Sequence, residues 1–123
     1  MSKSTLLAID DSPDNLFLLE ELIETYLPEC ELVTARSAQE GLALASSRPF
    51  DGAIIDVQLP GMDGLEVCRR LKAQPQTERL PVILITAKGS TPRLRAEGLV
   101  AGADHFISRP MDNEELVAKI RVM

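Results

Sequence analysis

The sequence predicts an α/β domain, a parallel β-sheet doubly wound by helices on both faces, and three observations carry that prediction. Short apolar runs alternate with helical periodicity five times along the 123 residues. The middle runs, Ala53-Ile54-Ile55 and Val82-Ile83-Leu84-Ile85, are apolar without interruption, as strands covered on both faces must be. The helical segments are preceded by residues whose side-chain oxygens can satisfy free backbone N–H groups.

The first strand is predicted over Leu6 to Ile9. Ser12-Pro13 then opens a helix, with Pro where its missing N–H costs nothing. Leu16, Leu19, Ile23 and Leu27 recur at helical spacing, while Glu20, Glu21 and Glu24 fall on the opposite side. Leu32 to Ala35 forms the second strand, and Ser37 with Glu40 has the capping-box spacing that opens the second helix. The third strand, Ala53 to Val57, leads through the turn Leu59-Pro60-Gly61-Met62-Asp63-Gly64 into a third helix, opened by Asp63 with Glu66. Val82 to Thr86 is the fourth strand. The fourth helix, Pro92 to Val100, is the least well anchored: it has few apolar anchors beyond Leu94, Leu99 and Val100, and Gly98 costs about 1 kcal/mol. It is expected to be the most mobile element. His105 to Ile107 forms the last strand, and Asp112 with Glu115 opens a last helix that stops at Met123 after scarcely three turns. One domain over 1–123 is expected, either standing alone or forming the N-terminal part of a longer chain.

Composition narrows the function. Apolar residues make up 45% and charged residues 26%, an ordinary globular balance, and a net charge of −6 argues against an overall field that attracts nucleic acid. No apolar run approaches the roughly 18 residues of a membrane span, and the N-terminus lacks the apolar stretch of a signal peptide, so a cytoplasmic location is expected. Cys30 and Cys68 have neither CxxC spacing nor a histidine cluster beside them, and read as reduced thiols. A single histidine, His105, makes a Ser-His-Asp triad improbable.

In an open parallel sheet the ligand site lies beyond the carboxyl ends of the strands. Asp10 and Asp11 follow the first strand, Asp56 sits near the end of the third, Thr86 ends the fourth and Arg109 follows the fifth. Three carboxylates, a hydroxyl and a cation are therefore expected in one crevice. Taken singly, most have ordinary explanations: acids favour a helix start, threonine suits a strand and an arginine can be a surface cation. Asp56 is harder to explain so, because a charge at the end of a buried apolar strand is costly without a partner. Three close carboxylates repel one another and would raise at least one pKa unless a cation lies between them. Hard oxygen donors without thiolate or imidazole suit Mg²⁺.

The acidic pair in Ala8-Ile9-Asp10-Asp11-Ser12, the stretch Asp56-Val57-Gln58-Leu59-Pro60-Gly61-Met62-Asp63-Gly64, Thr86-Ala87, and Gly102-Ala103-Asp104-His105-Phe106 leading to Pro110 together resemble the receiver domain of two-component response regulators. The resemblance covers essentially the whole chain. It implies a flavodoxin-like (βα)5 fold with strand order 2-1-3-4-5. It further implies that Asp56 takes a phosphoryl group from a phosphohistidine of a histidine kinase or histidine phosphotransfer protein, forming an acyl phosphate. Asp11 would bind Mg²⁺ directly, Asp10 through water, and the backbone carbonyl of Gln58 would complete the protein ligands alongside Asp56. Thr86 would turn its hydroxyl to the phosphoryl oxygens, and Phe106 would move inward as the switch aromatic. The resemblance also implies a downstream effector domain or protein, a homodimer through the fourth helix, fifth strand and fifth helix, no direct contact with nucleic acid or membrane, and catalysis limited to the domain's own phosphorylation and dephosphorylation.

One position departs from the family pattern. Receivers usually carry lysine before the proline, whereas Ser108-Arg109-Pro110 has arginine, a bulkier planar fork that prefers bidentate contact. Charge neutralisation is expected to survive, with coupling to the fourth helix and fifth strand weakened. Lys88 reads as a solvated loop lysine, with a partial substitute for the usual lysine as its other role, and the Arg109-Pro110 bond is expected to be cis. Arg109 also motivates a second function class, a pseudo-receiver that signals through protein contacts without phosphorylation. A third, an enzyme of small-molecule phosphate chemistry, lacks support: there is no GxxxxGK[ST] loop and no GxGxxG, and Gln58 stands where a second Asp after Asp56 would be needed.

Overall fold

The computed structural model describes residues 4–86, 91–109 and 112–123. Five strands alternate with five helices: β1 (Ser4–Ile9), α1 (Pro13–Tyr26), β2 (Cys30–Ala35), α2 (Ala38–Ser47), β3 (Gly52–Asp56), α3 (Gly64–Lys72), β4 (Val82–Thr86), α4 (Pro92–Val100), β5 (His105–Ser108) and α5 (Asn113–Arg121). All pair in parallel in the order β2-β1-β3-β4-β5, the flavodoxin-like arrangement expected from the sequence. Strand β3 ends one residue earlier than the apolar run suggests, at Asp56, because Val57 already turns toward α3 and its carbonyl accepts from Gly64 N at 2.9 Å.

Successive side chains alternate between the two faces of a strand, and the core divides accordingly. Leu7, Ile9, Ala53, Ile55, Val82 and Leu84 pack with residues of α2 and α3 on one face. Leu6, Ala8, Ile54, Ile83, Ile85 and Ile107 pack with Leu16, Leu19, Ile23, Leu116 and Ile120 of α1 and α5 on the other. Every residue of β3 and β4 is buried.

The helix starts form where their capping residues require. Ser12, Ser37, Asp63 and Thr91 each accept a hydrogen bond from the backbone N–H three residues on. Asp112 departs from the capping-box expectation and takes the N–H of Glu114 at 2.9 Å, not that of Glu115. Helix α4 requires a correction as well. Leu99 and Val100 anchor nothing, being 67% and 86% exposed. The contact is made by Leu94 and by Gly98, the buried residue of α4, whose bare Cα lies under the Phe106 ring. Cys68 is buried, its thiol donates to the Ala101 carbonyl, and burial pushes its pKa up to about 11, as suits an inert thiol. No helix among the described residues is long and apolar enough to cross a membrane. Ala87, Lys88 and the Arg109-Pro110 bond, on which expectations were placed, lie outside the described residues.

Candidate phosphoryl-transfer site

Strand register builds the site. Ile9 of β1 pairs with Ile55 of β3, so the residues that follow them, Asp10 and Asp56, end side by side. Both have the register of the face covered by α1 and α5, which is also that of Ile107 and hence of Arg109. Asp11 joins them at the start of the loop, and oxygens of Asp10, Asp11 and Asp56 all lie within 4.8 Å of one another.

Asp10 is 6% exposed and held at both oxygens. Oδ1 accepts from Ser12 N at 2.9 Å, while Oδ2 accepts from Asn15 Nδ2 at 3.2 Å and from Arg109 Nη2 at 2.8 Å. Asp56, also 6% exposed, accepts at Oδ1 from Gln58 N at 3.0 Å and at Oδ2 from Arg109 Nη1 at 3.4 Å. Burial raises the pKa of Asp56 and the nearby Asp10 charge adds to that rise, against the Gln58 N–H and the Arg109 guanidinium, which lower it. Arg109 thus uses its planar fork to span two carboxylates, one nitrogen on each, a contact that a single ammonium is poorly shaped to reproduce.

Thr86 ends β4 beside this site. It has the register of Leu84, on the opposite face of β4, and it meets the Gln58 side chain, with Nε2 donating to Oγ1 at 3.0 Å. The strand ends therefore bring together the three carboxylates and the cation, with the Thr86 hydroxyl linked to the end of β3 through the Gln58 side chain. Phe106 is half-buried and packs on the α2/α3-side core.

Three features of the site escaped the sequence. Asn15 holds Asp10, and its position one turn beyond the Ser12 cap is the signal that could have suggested it. The Gln58 side chain reaches Thr86, which no local pattern announces. Gly64 has no side chain because α3 starts against the end of β3, where a Cβ would strike the Asp56 carbonyl oxygen and stand 2.9 Å from Val57 Cα.

The donor set fits a hard divalent cation. It offers carboxylate oxygens without sulfur or imidazole, and the net negative charge of the trio exceeds what one guanidinium neutralises. Asp10 already uses both oxygens, whereas no donor among the described residues meets the exposed Asp11 carboxylate. That inequality favours Asp11 over Asp10 as a direct ligand.

The family model described as "Response regulator receiver domain" matches residues 6–121. The chain belongs to the receiver domain family of response regulators. It is 40% identical over 117 residues to the response regulator PleD of Caulobacter vibrioides, a match that covers 94% of this chain and 25% of that protein. Against the matched response regulators PleD, PhoB and ArlR, this receiver spans 25% to 52% of their length. In structure it is similar to the chemotaxis protein CheY4 of Vibrio cholerae, with TM-score 0.89 and 27% identity over 98% of each chain. The receiver domain of the sensor histidine kinase PA1611 from Pseudomonas aeruginosa, whose active-site cleft coordinates a magnesium ion, shares the fold with TM-score 0.86 at 22% identity, over 98% of this chain and 96% of that one.

Proposed function

We propose that this receiver is a phosphoacceptor switch in a two-component pathway, with Asp56 as the acceptor. The observation that carries the reading is the placement of Asp56: a buried carboxylate at the carboxyl end of the central strand, beside Asp10 and Asp11 and spanned by Arg109. In the transfer, a carboxylate oxygen of Asp56 attacks the phosphorus of a phosphohistidine. A P–O bond forms as the P–N bond breaks, and the electron pair leaves with the donor imidazole, which takes up a proton. Positioning and charge neutralisation are nearly all such a reaction needs from a protein. Asp10, Asp11, Asp56 and the backbone carbonyl of Gln58 would hold Mg²⁺, which supplies neutralisation of the phosphoryl oxygens. Arg109 supplies the second positive charge, and the Gln58 N–H fixes the plane of the Asp56 carboxylate.

Signalling then depends on Thr86 leaving Gln58 for the new phosphoryl oxygens and on Phe106 turning inward against β4. The domain catalyses only the gain and loss of its own phosphoryl group. The donor is a histidine kinase or a histidine phosphotransfer protein in the cytoplasm, and the output passes to an effector domain or protein, with the α4, β5 and α5 surface as the face for a second copy. Labelling with acetyl phosphate, read by intact mass, tests the reading. One phosphoryl group is expected on the wild-type domain with Mg²⁺, and none with EDTA or in Asp56→Asn. Labelling that survives both treatments would overturn the assignment of Asp56, and a wild-type domain that takes no label while folded would make it a pseudo-receiver.

A further inference from the structure

Gln58 touches two groups that phosphoryl signalling would use in succession. Its backbone N–H donates to Asp56 Oδ1 at 3.0 Å, and its side-chain amide meets the Thr86 hydroxyl. That second contact is made by either end of the amide: Nε2 can donate to Oγ1 at 3.0 Å, and Oε1 lies 3.3 Å from the same oxygen, placed to accept its proton. Thr86 itself is fully buried, at 0% exposure, and its register places it on the sheet face opposite to that of Asp56. The hydroxyl is therefore held at the neighbouring strand end by a residue only two positions beyond the acceptor.

We propose that Gln58 is a latch on Thr86: in the resting domain its amide holds the hydroxyl away from Asp56, and the strength of that hold sets how readily the domain switches. Gln58 is on this account a positioning residue that acts through Thr86. The proposal rests on the phosphoacceptor reading and adds to it the residue that opposes the switch. A ligand that binds only the switched state has its apparent affinity reduced by the fraction of molecules in that state. A neutral hydrogen bond present only in the resting state biases that equilibrium by a factor of about 2 to 10. Removing the amide while keeping the length of the side chain should tighten binding of a phosphoryl mimic by the same factor.

The experiment is a titration of the domain with beryllofluoride in saturating Mg²⁺, followed through the backbone amide NMR shifts of Thr86 and Phe106, in wild type, Gln58→Met, Thr86→Val and the double variant. Gln58→Ala serves as a second removal of the amide, and each variant is first checked for a cooperative thermal transition. Gln58→Met and Gln58→Ala are expected to bind about 2- to 10-fold more tightly than wild type. In the Thr86→Val background, where no hydroxyl remains to be held, the same substitution should change the affinity by less than about 1.5-fold, which a role limited to packing would not produce. Equal affinities of wild type and Gln58→Met would overturn the latch, and so would equal tightening in both backgrounds. Those two results leave Asp56 as acceptor. A wild-type domain that labels at Asp56 but whose Thr86 shift ignores beryllofluoride also overturns the latch alone, whereas one that neither labels nor binds the mimic overturns both readings.

Discussion

Strand β3 and helix α4 are attached to this domain by opposite means. All five residues of β3 are buried, hydrogen-bonded to β1 on one side and β4 on the other, and the carboxylate at its end is fixed through both oxygens by Gln58 and Arg109. Helix α4 buries Gly98 and half-buries Leu94, while Leu99 and Val100 stand 67% and 86% exposed. A displaced acceptor carboxylate would drag two packed faces of the sheet with it. A displaced α4 would give up the packing of a half-buried Leu94 and the close approach of Gly98 to one ring. On the proposed reading the acceptor carboxylate is seated where movement is costly and the responding helix where it is cheap, which is the distribution expected when local stability differs across a fold.

Paired truncations give the widest separation. Ile55→Ala removes a fully buried side chain from β3 and should cost about 2–5 kcal/mol, since the surrounding sheet cannot collapse into the space. Leu99→Ala, on the exposed side of α4, should stay within about 0.5 kcal/mol. Urea unfolding of the two variants against wild type measures both. A loss of more than about 2 kcal/mol for Leu99→Ala would mean that α4 is held by contacts of the kind that hold β3, and the contrast would fail.

The same contrast marks what the sequence could disclose. Residues on β3 and β4 were legible because double-sided burial forces an unbroken apolar run, and Asp56 stood out as the charge that interrupts one. Asp10 and Arg109 followed from strand ends, and the cluster of Asp10, Asp11 and Asp56 is where the topology placed it. Thr86 stands at the end of β4, but position along a strand does not state which side chain its hydroxyl meets, and the Gln58 amide that it meets leaves no trace in the local pattern. For α4 the sequence misled in the other direction. Leu99 and Val100 are apolar yet exposed, while the contact is made by Leu94 together with Gly98, whose value lies in having no side chain under Phe106. Close approach of this kind joins residues far apart in the chain and leaves no periodic trace.

A subtler difference concerns charge at the β3 end. Burial and the Asp10 charge raise the Asp56 pKa in the folded domain, so between the unfolded and folded values the native state binds more protons than the unfolded one. The ionised carboxylate therefore weakens the metal-free fold, with the penalty absent at pH below the unfolded pKa and complete above the folded one. Asp56→Asn keeps an acceptor for the Gln58 N–H and removes the charge. Without added divalent cation it should melt at a higher temperature than wild type at neutral pH, and the gap should close as pH falls through the carboxylate range. Thermal unfolding in EDTA across that range is the measurement. A gap that is independent of pH would place the gain in packing, and a less stable variant would mean that the bond to Arg109 outweighs the cost of burying the charge.

The smallest effect is expected where α4 meets β5, from Gly98→Ala. Helix propensity alone favours alanine by about 1 kcal/mol. Against it, the new Cβ would stand 3.0 Å from Phe106 Cδ2 and 3.1 Å from Cε2, closer than such atoms normally come, so the ring must give way by a few tenths of an ångström. Leu84 Cδ1 at 3.4 Å is an ordinary neighbour and adds little. The two terms oppose each other, and because Phe106 is only half-buried it can shift without opening a core cavity. Stability should therefore change by less than about 1 kcal/mol, with NMR shifts concentrated on Phe106 and Leu94. Asp56 lies across β4 from this contact, and its labelling rate with acetyl phosphate should stay within about 2-fold of wild type, the size of change that about 0.4 kcal/mol in a barrier produces. A loss above about 2 kcal/mol would show the ring wedged as firmly as a core side chain. A large fall in labelling with the fold intact would show that the acceptor senses the seat of Phe106, and the separation of a rigid chemical end from a yielding flank would have to be abandoned.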